Sequence, residues 1–227
     1  MTSNKNNLNE GKRDQFVRSL MRWHKENRRL FPWRNHQDPY RVLVSEILLQ
    51  RTPANRVSTF FPRFVERFPK PEDIVSTSID DMKKFLQPMG LRKKAGWLVR
   101  LMKDICDKYN SKIPDQEKEL VQLPGVGRYT ACTVLSFGFK KDVAIADINV
   151  ARILSRVLGL PKRKKRPHAD VELWTLASTL VPNGKGPKYN QALLDFAALV
   201  CRKTPLCHVC PVNKVCEYYN PTFTRRS

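Results

Sequence analysis

Apolar residues recur along most of this chain at helical spacing, three or four positions apart, and this pattern predicts an all-α fold. Phe16, Leu20 and Trp23 share one face of a first helix that is predicted to end near Arg28. Further amphipathic helices are predicted at Asp38 to Gln50, Asn55 to Phe68, Arg92 to Tyr109, Val150 to Leu158 and Leu173 to Val181. The best β-like run, Val143 to Ala146, is too short to make a sheet.

A glycine-bearing turn, Leu123-Pro124-Gly125-Val126-Gly127, is predicted to form a hairpin between two helices. Gly125 and Gly127 lack a Cβ atom, so the backbone there can take a positive φ and approach another surface closely. The following helix, Arg128 to Leu135, points its unpaired N–H groups back at the turn, and this geometry favours an anion such as phosphate. The turn is therefore a candidate for holding a nucleic-acid backbone, with an ordinary helix connection as the alternative.

Charge points to the same class of partner. Forty-two Lys and Arg residues against 21 Asp and Glu give a net charge of +21 in 227 residues, which favours a polyanion. The basic run Lys162 to Arg166 is interpreted as a solvated loop with a general attraction to DNA. Because no signal peptide or apolar run of transmembrane length is evident, we expect a soluble, intracellular protein. The predicted localisation is cytoplasmic, in association with the nucleoid. The polar start, Met1 to Glu10, is expected to be a disordered tail.

Four of the six cysteines are crowded together near the end of the sequence, as Cys201-x5-Cys207-x2-Cys210-x5-Cys216. In an intracellular chain such a cluster is more typical of metal binding than of disulfides. Four thiolates suit either an iron–sulfur cluster or tetrahedral zinc, and spacing alone does not distinguish the two.

Several motifs occur together in a recognisable order between Trp23 and Tyr219. They are Phe31-Pro32-Trp33-Arg34, Asp38-Pro39-Tyr40, Ser45-Glu46-Ile47-Leu48-Leu49-Gln50-Arg51-Thr52, the Leu-Pro-Gly-Val-Gly hairpin, Asp147 and the four clustered cysteines. In these motifs the chain resembles the helix-hairpin-helix DNA glycosylases of the endonuclease III type. The Glu46 to Thr52 stretch, Tyr129 and the segment from Trp174 to Phe196 are most similar to the thymine/uracil glycosylases that act on G·T mismatches.

The resemblance implies a helix-hairpin-helix glycosylase fold of two helical lobes with a C-terminal iron–sulfur cluster loop. Residues 31–140 would form a helical domain carrying the hairpin, and residues 1–30 with 141–227 a discontinuous domain carrying the cluster. It implies a [4Fe-4S] cluster, rather than zinc, on Cys201, Cys207, Cys210 and Cys216. The first cysteine spacing, five residues, is one shorter than in most of the family. The implied partner is double-stranded DNA with a mismatched base, bound by a monomer.

Asp147 matches the catalytic aspartate of the family. Cleaving an N-glycosidic bond builds positive charge on the sugar and negative charge on the base, so a nearby carboxylate stabilises the transition state and activates water. Taken alone, an Asp before a helical run is more often a helix cap, but the match of the whole Asp147-x-Asn149-x-x-Arg152 neighbourhood to the family favours the catalytic role. We expect Asn149 to cap this helix, which leaves Asp147 for the chemistry.

Tyr129 and Glu46 are the other two catalytic candidates. Members of the family that also cleave the strand carry a lysine at the position of Tyr129, and its amine forms a Schiff base with the sugar. A phenol, with a reference pKa of about 10, is a poor nucleophile, so base removal by water alone is expected. Glu46 matches the glutamate that protonates adenine in the related adenine-mismatch glycosylases, and the resemblance implies that in a thymine pocket it hydrogen-bonds the edge of the base. An acid on an apolar helix face is costly without a partner, which favours a functional role. The alternatives are an amphipathic helix residue for Tyr129 and a structural ion pair for Glu46.

The DNA-binding candidates come from the same resemblance. Gln50 and Arg51 match residues that fill the gap left by a flipped base, or else they contact phosphates at a polar helix end. Leu91 is a candidate wedge on the opposite strand, or a core residue. The hairpin residues Gly125, Val126 and Gly127 would hold the backbone.

The predicted function is a monofunctional base-excision repair glycosylase that removes thymine or uracil from G·T and G·U mismatches by base flipping and hydrolysis. One alternative is an adenine glycosylase acting on mispairs with oxidised guanine, which the Glu46 motif allows. Against it, Tyr129 replaces the usual serine, and the sequence ends soon after Cys216 without the further domain that such enzymes commonly carry. A second alternative is a non-catalytic DNA-binding module, against which the intact Asp147 argues.

Overall fold

The computed structural model describes residues 10–34, 37–160 and 166–219, except the side chain of His168. The predicted N-terminal tail, apart from Glu10, and the basic run, apart from Arg166, lie outside these residues. The chain divides into two compact units. We call Leu30–Lys141 the continuous unit, and Met1–Arg29 with Asp142–Ser227 the split unit.

The predicted all-α class is confirmed for the described residues, which contain helices and no strand. The split unit contains α1 (Glu10–Glu26), α9 (Ile148–Leu158), α10 (Val171–Thr179) and α11 (Gly186–Leu199). The continuous unit contains α2 (Pro39–Leu49), α3 (Ala54–Arg67), α4 (Pro71–Val75), α5 (Ile79–Leu86), α6 (Ala95–Tyr109), α7 (Glu117–Leu120) and α8 (Arg128–Thr133). Among the described residues, no helix is long and apolar enough to cross a membrane.

Helix α2 is bounded by the residues that its sequence predicts. The Asp38 carboxylate accepts the backbone N–H of Tyr40 at 2.9 Å, and Pro39 occupies the first helical position, where no N–H is needed. The helix ends at Leu49, and its C-cap is Gln50, whose ψ of 111° leaves the helical region. The Tyr40 hydroxyl donates to the Phe68 carbonyl at 2.7 Å, and burial raises the pKa of this phenol. These contacts fix α2 within the continuous unit.

Helix α8 differs from its prediction. The α-helical hydrogen bonding ends at Thr133 and a π-helical turn, Val134–Gly138, follows. Gly138 lies against the start of α2, where an added Cβ would be 2.7 Å from the Cα of Pro39. This close approach packs the π-helical turn against α2 and has no signature in the local hydrophobic pattern.

In the split unit, α1 packs against α11 and buries Phe16 and Leu20. Helix α1 ends at Glu26, two residues before the predicted end. The fully buried Asp195 carboxylate of α11 lies 2.9 Å from His24 Nε2 and 2.6 Å from Arg29 Nε. A buried carboxylate is tolerated only with such partners, so this group ties both ends of the split unit's sequence together.

Candidate active site

Asp147 lies at the start of α9 and is half-buried. Its Oδ1 accepts the backbone N–H groups of Asn149 at 2.9 Å and Val150 at 2.8 Å. The Asn149 side-chain amide donates to the other oxygen, Oδ2, at 2.6 Å. The expectation that Asn149 caps the helix is therefore wrong: Asp147 is the cap, because its extended backbone directly precedes the first helical residue. A carboxylate accepts about four hydrogen bonds, so capping is compatible with a further role.

A chain of hydrogen bonds continues from Asn149 to the cysteine region. The Arg152 guanidinium donates to Asn149 Oδ1 at 2.9 Å and to the carbonyls of Ala197 at 3.3 Å and Cys201 at 3.0 Å. Because Asn149 Oδ1 accepts from Arg152, the amide nitrogen of Asn149 is the atom that faces Asp147. Sequence reasoning used Arg152 as part of the Asp147-x-Asn149-x-x-Arg152 match and gave it no separate role.

The four clustered cysteines follow α11, and two of them, Cys201 and Cys216, contact Arg156 of α9. Arg156 donates to Cys201 Sγ at 3.5 Å and to the carbonyls of Arg202 at 2.6 Å and Lys203 at 2.8 Å. Its own carbonyl accepts from Cys216 Sγ at 3.5 Å. Helix α9 therefore carries Asp147 at its start and holds the cysteine region with its last two turns.

The cysteine sulfurs also influence one another. Burial is the main cause that raises the pKa of Cys210 to about 12, and the charges of Cys216, Cys201 and Cys207 raise it further. Burial likewise raises the pKa of Cys216. Within the described ranges, no three or more histidine, cysteine or acidic side chains are grouped as a site for a metal ion.

The predicted hairpin in the continuous unit connects α7 to α8. Gly125 has a φ of +70°, and an added Cβ would lie 2.2 Å from the Trp97 ring, whose Nε1 donates to the Pro124 carbonyl at 2.9 Å. Gly127 has open space where its Cβ would be, whereas the Val126 side chain is buried. Gly125 is thus required by the turn itself, and Gly127 leaves the backbone open to a partner.

Tyr129 occupies the first turn of α8 and is half-buried. Its neighbour Arg128 forms an ion pair with Glu117 of α7, with a Nε to Oε1 distance of 2.8 Å. This pair fixes the start of α8 against the other helix of the hairpin. Helix α2, which carries Glu46, also packs against α8.

Glu46 is half-buried on α2, between the fully buried Ser45 and Ile47. Gln50 caps the C-terminus of this helix, and Arg51 follows with an exposed side chain and a φ of +59°. Leu91 has 8% of its surface exposed, so its side chain packs in the core of the continuous unit. Its assignment as a wedge remains a prediction.

The structure distributes the predicted residues over both units. Glu46, Gln50, Arg51, Leu91, Tyr129 and the hairpin belong to the continuous unit. Asp147 and the clustered cysteines belong to the split unit. Sequence reasoning missed two contributors in the continuous unit. They are Trp97, which supports the hairpin, and Lys94, which donates to carbonyls at the end of α2. Neither has a signal in the hydrophobic pattern.

Comparisons with known proteins test the resemblance directly. Residues 44–178 match the family described as HhH-GPD superfamily base excision DNA repair protein. A thymine-DNA glycosylase of Aeropyrum pernix is 36% identical over 94% of this chain and 98% of its own. A thymine/uracil-DNA glycosylase of Methanothermobacter thermautotrophicus is 35% identical over 94% of this chain and 97% of its own.

The fold comparison agrees with the sequence comparison. The structure of a thermostable thymine-DNA glycosylase superimposes with a TM-score of 0.88 at 35% identity, covering 92% of this chain and 97% of the other. The predicted resemblance is therefore confirmed both in sequence and in fold. The chain belongs to the HhH-GPD superfamily of base excision DNA repair proteins.

Proposed function

We propose that this protein is a DNA N-glycosylase that removes thymine or uracil from mismatches with guanine by hydrolysis, leaving an abasic site. The observation that carries the proposal is the Asp147 carboxylate, held at the start of α9 by two backbone N–H groups and the Asn149 amide. The similarity to thymine and thymine/uracil glycosylases over nearly the whole chain supports the choice of base.

Asp147 would act on the sugar. Departure of the base leaves positive charge on the sugar ring, and a fixed carboxylate stabilises that charge without reorganising during the reaction. Asp147 has lone pairs that its present hydrogen bonds do not use, and these can also orient and activate the attacking water. Asn149 and Arg152 would keep the carboxylate in place, because their hydrogen bonds determine which way it faces.

Tyr129 supports hydrolysis without strand cleavage. A phenol in the position of the family's lysine supplies no amine for a Schiff base, so the abasic strand stays intact until alkali breaks it. The half-buried ring would lie beside the target nucleotide. Glu46 would bind the edge of the flipped thymine or uracil.

DNA would be held by several elements of the continuous unit. The open backbone at Gly127 favours phosphate contact, and the net charge of +21 adds a sequence-independent attraction. Gln50 and Arg51 would fill the gap left by the flipped base, and Leu91 would act on the opposite strand. The two compact units would be the two helical lobes of the enzyme, which would act as an intracellular monomer on double-stranded DNA.

Cys201, Cys207, Cys210 and Cys216 are the proposed ligands of a [4Fe-4S] cluster, a proposal supported by their spacing in the sequence and by the family to which the chain belongs. The donor set would be the thiols of these four cysteines, and burial raises the pKa values of two of them, Cys210 and Cys216. A thiol that coordinates a metal is deprotonated. The positive charge of the metal would offset the free-energy cost of burying these thiolates and the repulsion between them. Such a cluster would cross-link the loop after α11. The hydrogen bonds of Arg152 and Arg156 connect this loop to the helix that begins at Asp147.

A labelled duplex series tests the proposal. Duplexes with G·T, G·U, A·oxidised-G and A·G pairs are incubated with the protein and scored for base loss with and without alkali. Loss of thymine or uracil that requires alkali for strand breakage is the expected result. Loss of adenine would support an adenine glycosylase instead, and binding without any base loss would support a non-catalytic module.

A further inference from the structure

Lys94 makes contacts that none of the proposed roles uses. It immediately precedes α6 in the continuous unit and is half-buried. Its ammonium group donates to the carbonyls of Ile47 at 2.7 Å and Gln50 at 2.8 Å. Its backbone N–H donates to the Leu91 carbonyl at 2.8 Å. Burial lowers the pKa of Lys94, a cost that its two hydrogen bonds offset.

The side-chain contacts fix the end of α2. The last carbonyls of a helix have no partner within the helix, and the negative end of the helix dipole attracts a cation. Immediately after this end, Gln50 leaves the helical region and Arg51 adopts a φ of +59°, which is uncommon for a residue with a side chain. Lys94 therefore stabilises a turn whose backbone conformation is otherwise unfavourable.

The backbone contact belongs to a second turn. Gly90 has a φ of +72°, and Leu91 follows it with its N–H bonded to the Leu86 carbonyl at 3.2 Å. One residue is thus bonded to both turns, through its side chain to the turn at Gln50–Arg51 and through its backbone to the turn at Gly90–Leu91. These are the two turns to which the proposed function gives the gap-filling and wedge residues.

We propose that Lys94 is a positioning residue for base flipping, which holds the Gln50–Arg51 turn and the Gly90–Leu91 turn together as one rigid element. This inference rests on the proposed function for the roles of the two turns. A preformed element enters the duplex without first losing conformational freedom, so more of its contact energy is available for extruding the base. Removing the ammonium group should slow extrusion of the base while leaving hydrolysis of an extruded base unchanged.

Two duplexes separate these steps. One contains a G·T mismatch, and the other places thymine opposite an abasic site, where no base pair has to be opened. Lys94→Met should lower the single-turnover excision rate on G·T by about tenfold or more, as expected for losing hydrogen bonds to a charged group. On the second duplex its rate should stay within about threefold of the original protein. Lys93→Met, which removes the neighbouring exposed charge, is the matched control and should preserve both rates.

Flipping is also measured without excision. The fluorescence of 2-aminopurine placed beside the mismatch increases when the neighbouring base leaves the stack. This fluorescence rise should be smaller with Lys94→Met than with Lys93→Met. Lys94→Arg, which keeps the charge and at least two donors, should restore most of the rise. Thermal denaturation checks that each variant is folded. If Lys94→Met does not fold, Lys94→Gln, a neutral variant with a shorter reach, is compared with Lys93→Gln in the same assays.

Equal losses on the two duplexes, or an unchanged fluorescence rise, would overturn the proposal. Failure of the proposed function looks different. The original protein would then remove no thymine or uracil, while the fluorescence comparison of Lys94 and Lys93 variants would still decide whether Lys94 assists flipping. Gln50→Ala tests the gap-filling role separately, because it removes that side chain and leaves the Gln50 carbonyl in place for Lys94.

Discussion

Asp147→Asn tests the assignment of the catalytic carboxylate. The structure also predicts how much this substitution lowers the free energy of unfolding. The new amide oxygen can still accept the backbone N–H groups of Asn149 and Val150, and asparagine caps helices as well as aspartate does. Its amide nitrogen, however, would face the Asn149 amide nitrogen at the present 2.6 Å, which places two donors together. Asn149 cannot reverse its amide without losing the bond from Arg152. We expect the free energy of unfolding to fall by about 1–3 kcal/mol.

The expected loss of activity is larger than this loss of stability. A unit charge 4 Å from a developing positive charge contributes about 4 kcal/mol at an effective dielectric constant of about 20. Removing this interaction slows the chemical step by about a thousandfold. Affinity for the mismatched duplex should stay close to that of the original protein, because the charge is needed in the transition state rather than in the bound ground state.

Three measurements check this prediction: single-turnover excision on a G·T duplex, fluorescence anisotropy for binding, and thermal denaturation. Asp142→Asn is the matched control, because Asp142 lies in the same unit and also accepts two backbone N–H groups, from Gly184 and Gly186. The control should retain excision. If Asp147→Asn keeps its rate within about tenfold of the original protein, the electrostatic role of Asp147 is refuted.

Four further predictions concern other parts of the structure. Tyr129→Lys should introduce strand cleavage and an adduct that borohydride traps, and absence of the adduct would count against placing residue 129 beside the sugar. Gly125→Ala should lower the free energy of unfolding by about 1–3 kcal/mol, because its Cβ would overlap the Trp97 ring at a φ of +70°. Gly127→Ala should leave the melting temperature unchanged, since nothing lies within 4 Å of its Cβ, but weaken duplex binding. A Gly127 variant that binds normally would contradict the proposed backbone contact. Metal analysis of purified protein should find about four irons and a brown colour, whereas colourless protein with stoichiometric zinc would contradict the proposed cofactor.

Local signals predicted α2 and the hairpin correctly. Asp38 followed by Pro39 predicts a helix start from two residues alone, because Asp caps a helix and Pro suits its first position. The structure has Asp38 as the cap and Pro39 as the first helical residue. The hairpin was predictable because a short glycine-bearing turn with apolar residues on both sides must connect two helices. Gly125 takes the positive φ that this turn requires, whereas Gly127 has a φ of −86°.

Other features depended on contacts between distant residues. The π-helical turn at Val134–Gly138 packs against α2, where Gly138 approaches Pro39, about 100 positions earlier in the sequence. Arg152, which donates to Asn149, also donates to the carbonyls of Ala197 and Cys201, which lie 45 and 49 positions later in the sequence. No window of neighbouring residues contains that information.

The sequence by itself determined the helical class, the start of α2 and the kinds of chemistry that the chain carries. The helical class depends on the spacing of apolar residues, and the start of a helix depends on its cap, so both are set within one or two helical turns. The chemistry depends on the side chains themselves, such as those of Asp147, Tyr129 and the clustered cysteines. Tertiary structure alone decided the bonds from Arg152 to Ala197 and Cys201, the support of the Gly125 turn by Trp97, and the attachment of Lys94 to the end of α2. The physical reason is that a polar side chain must find hydrogen-bond partners, and a glycine turn must find packing partners, among groups that are distant in the sequence and become neighbours only on folding.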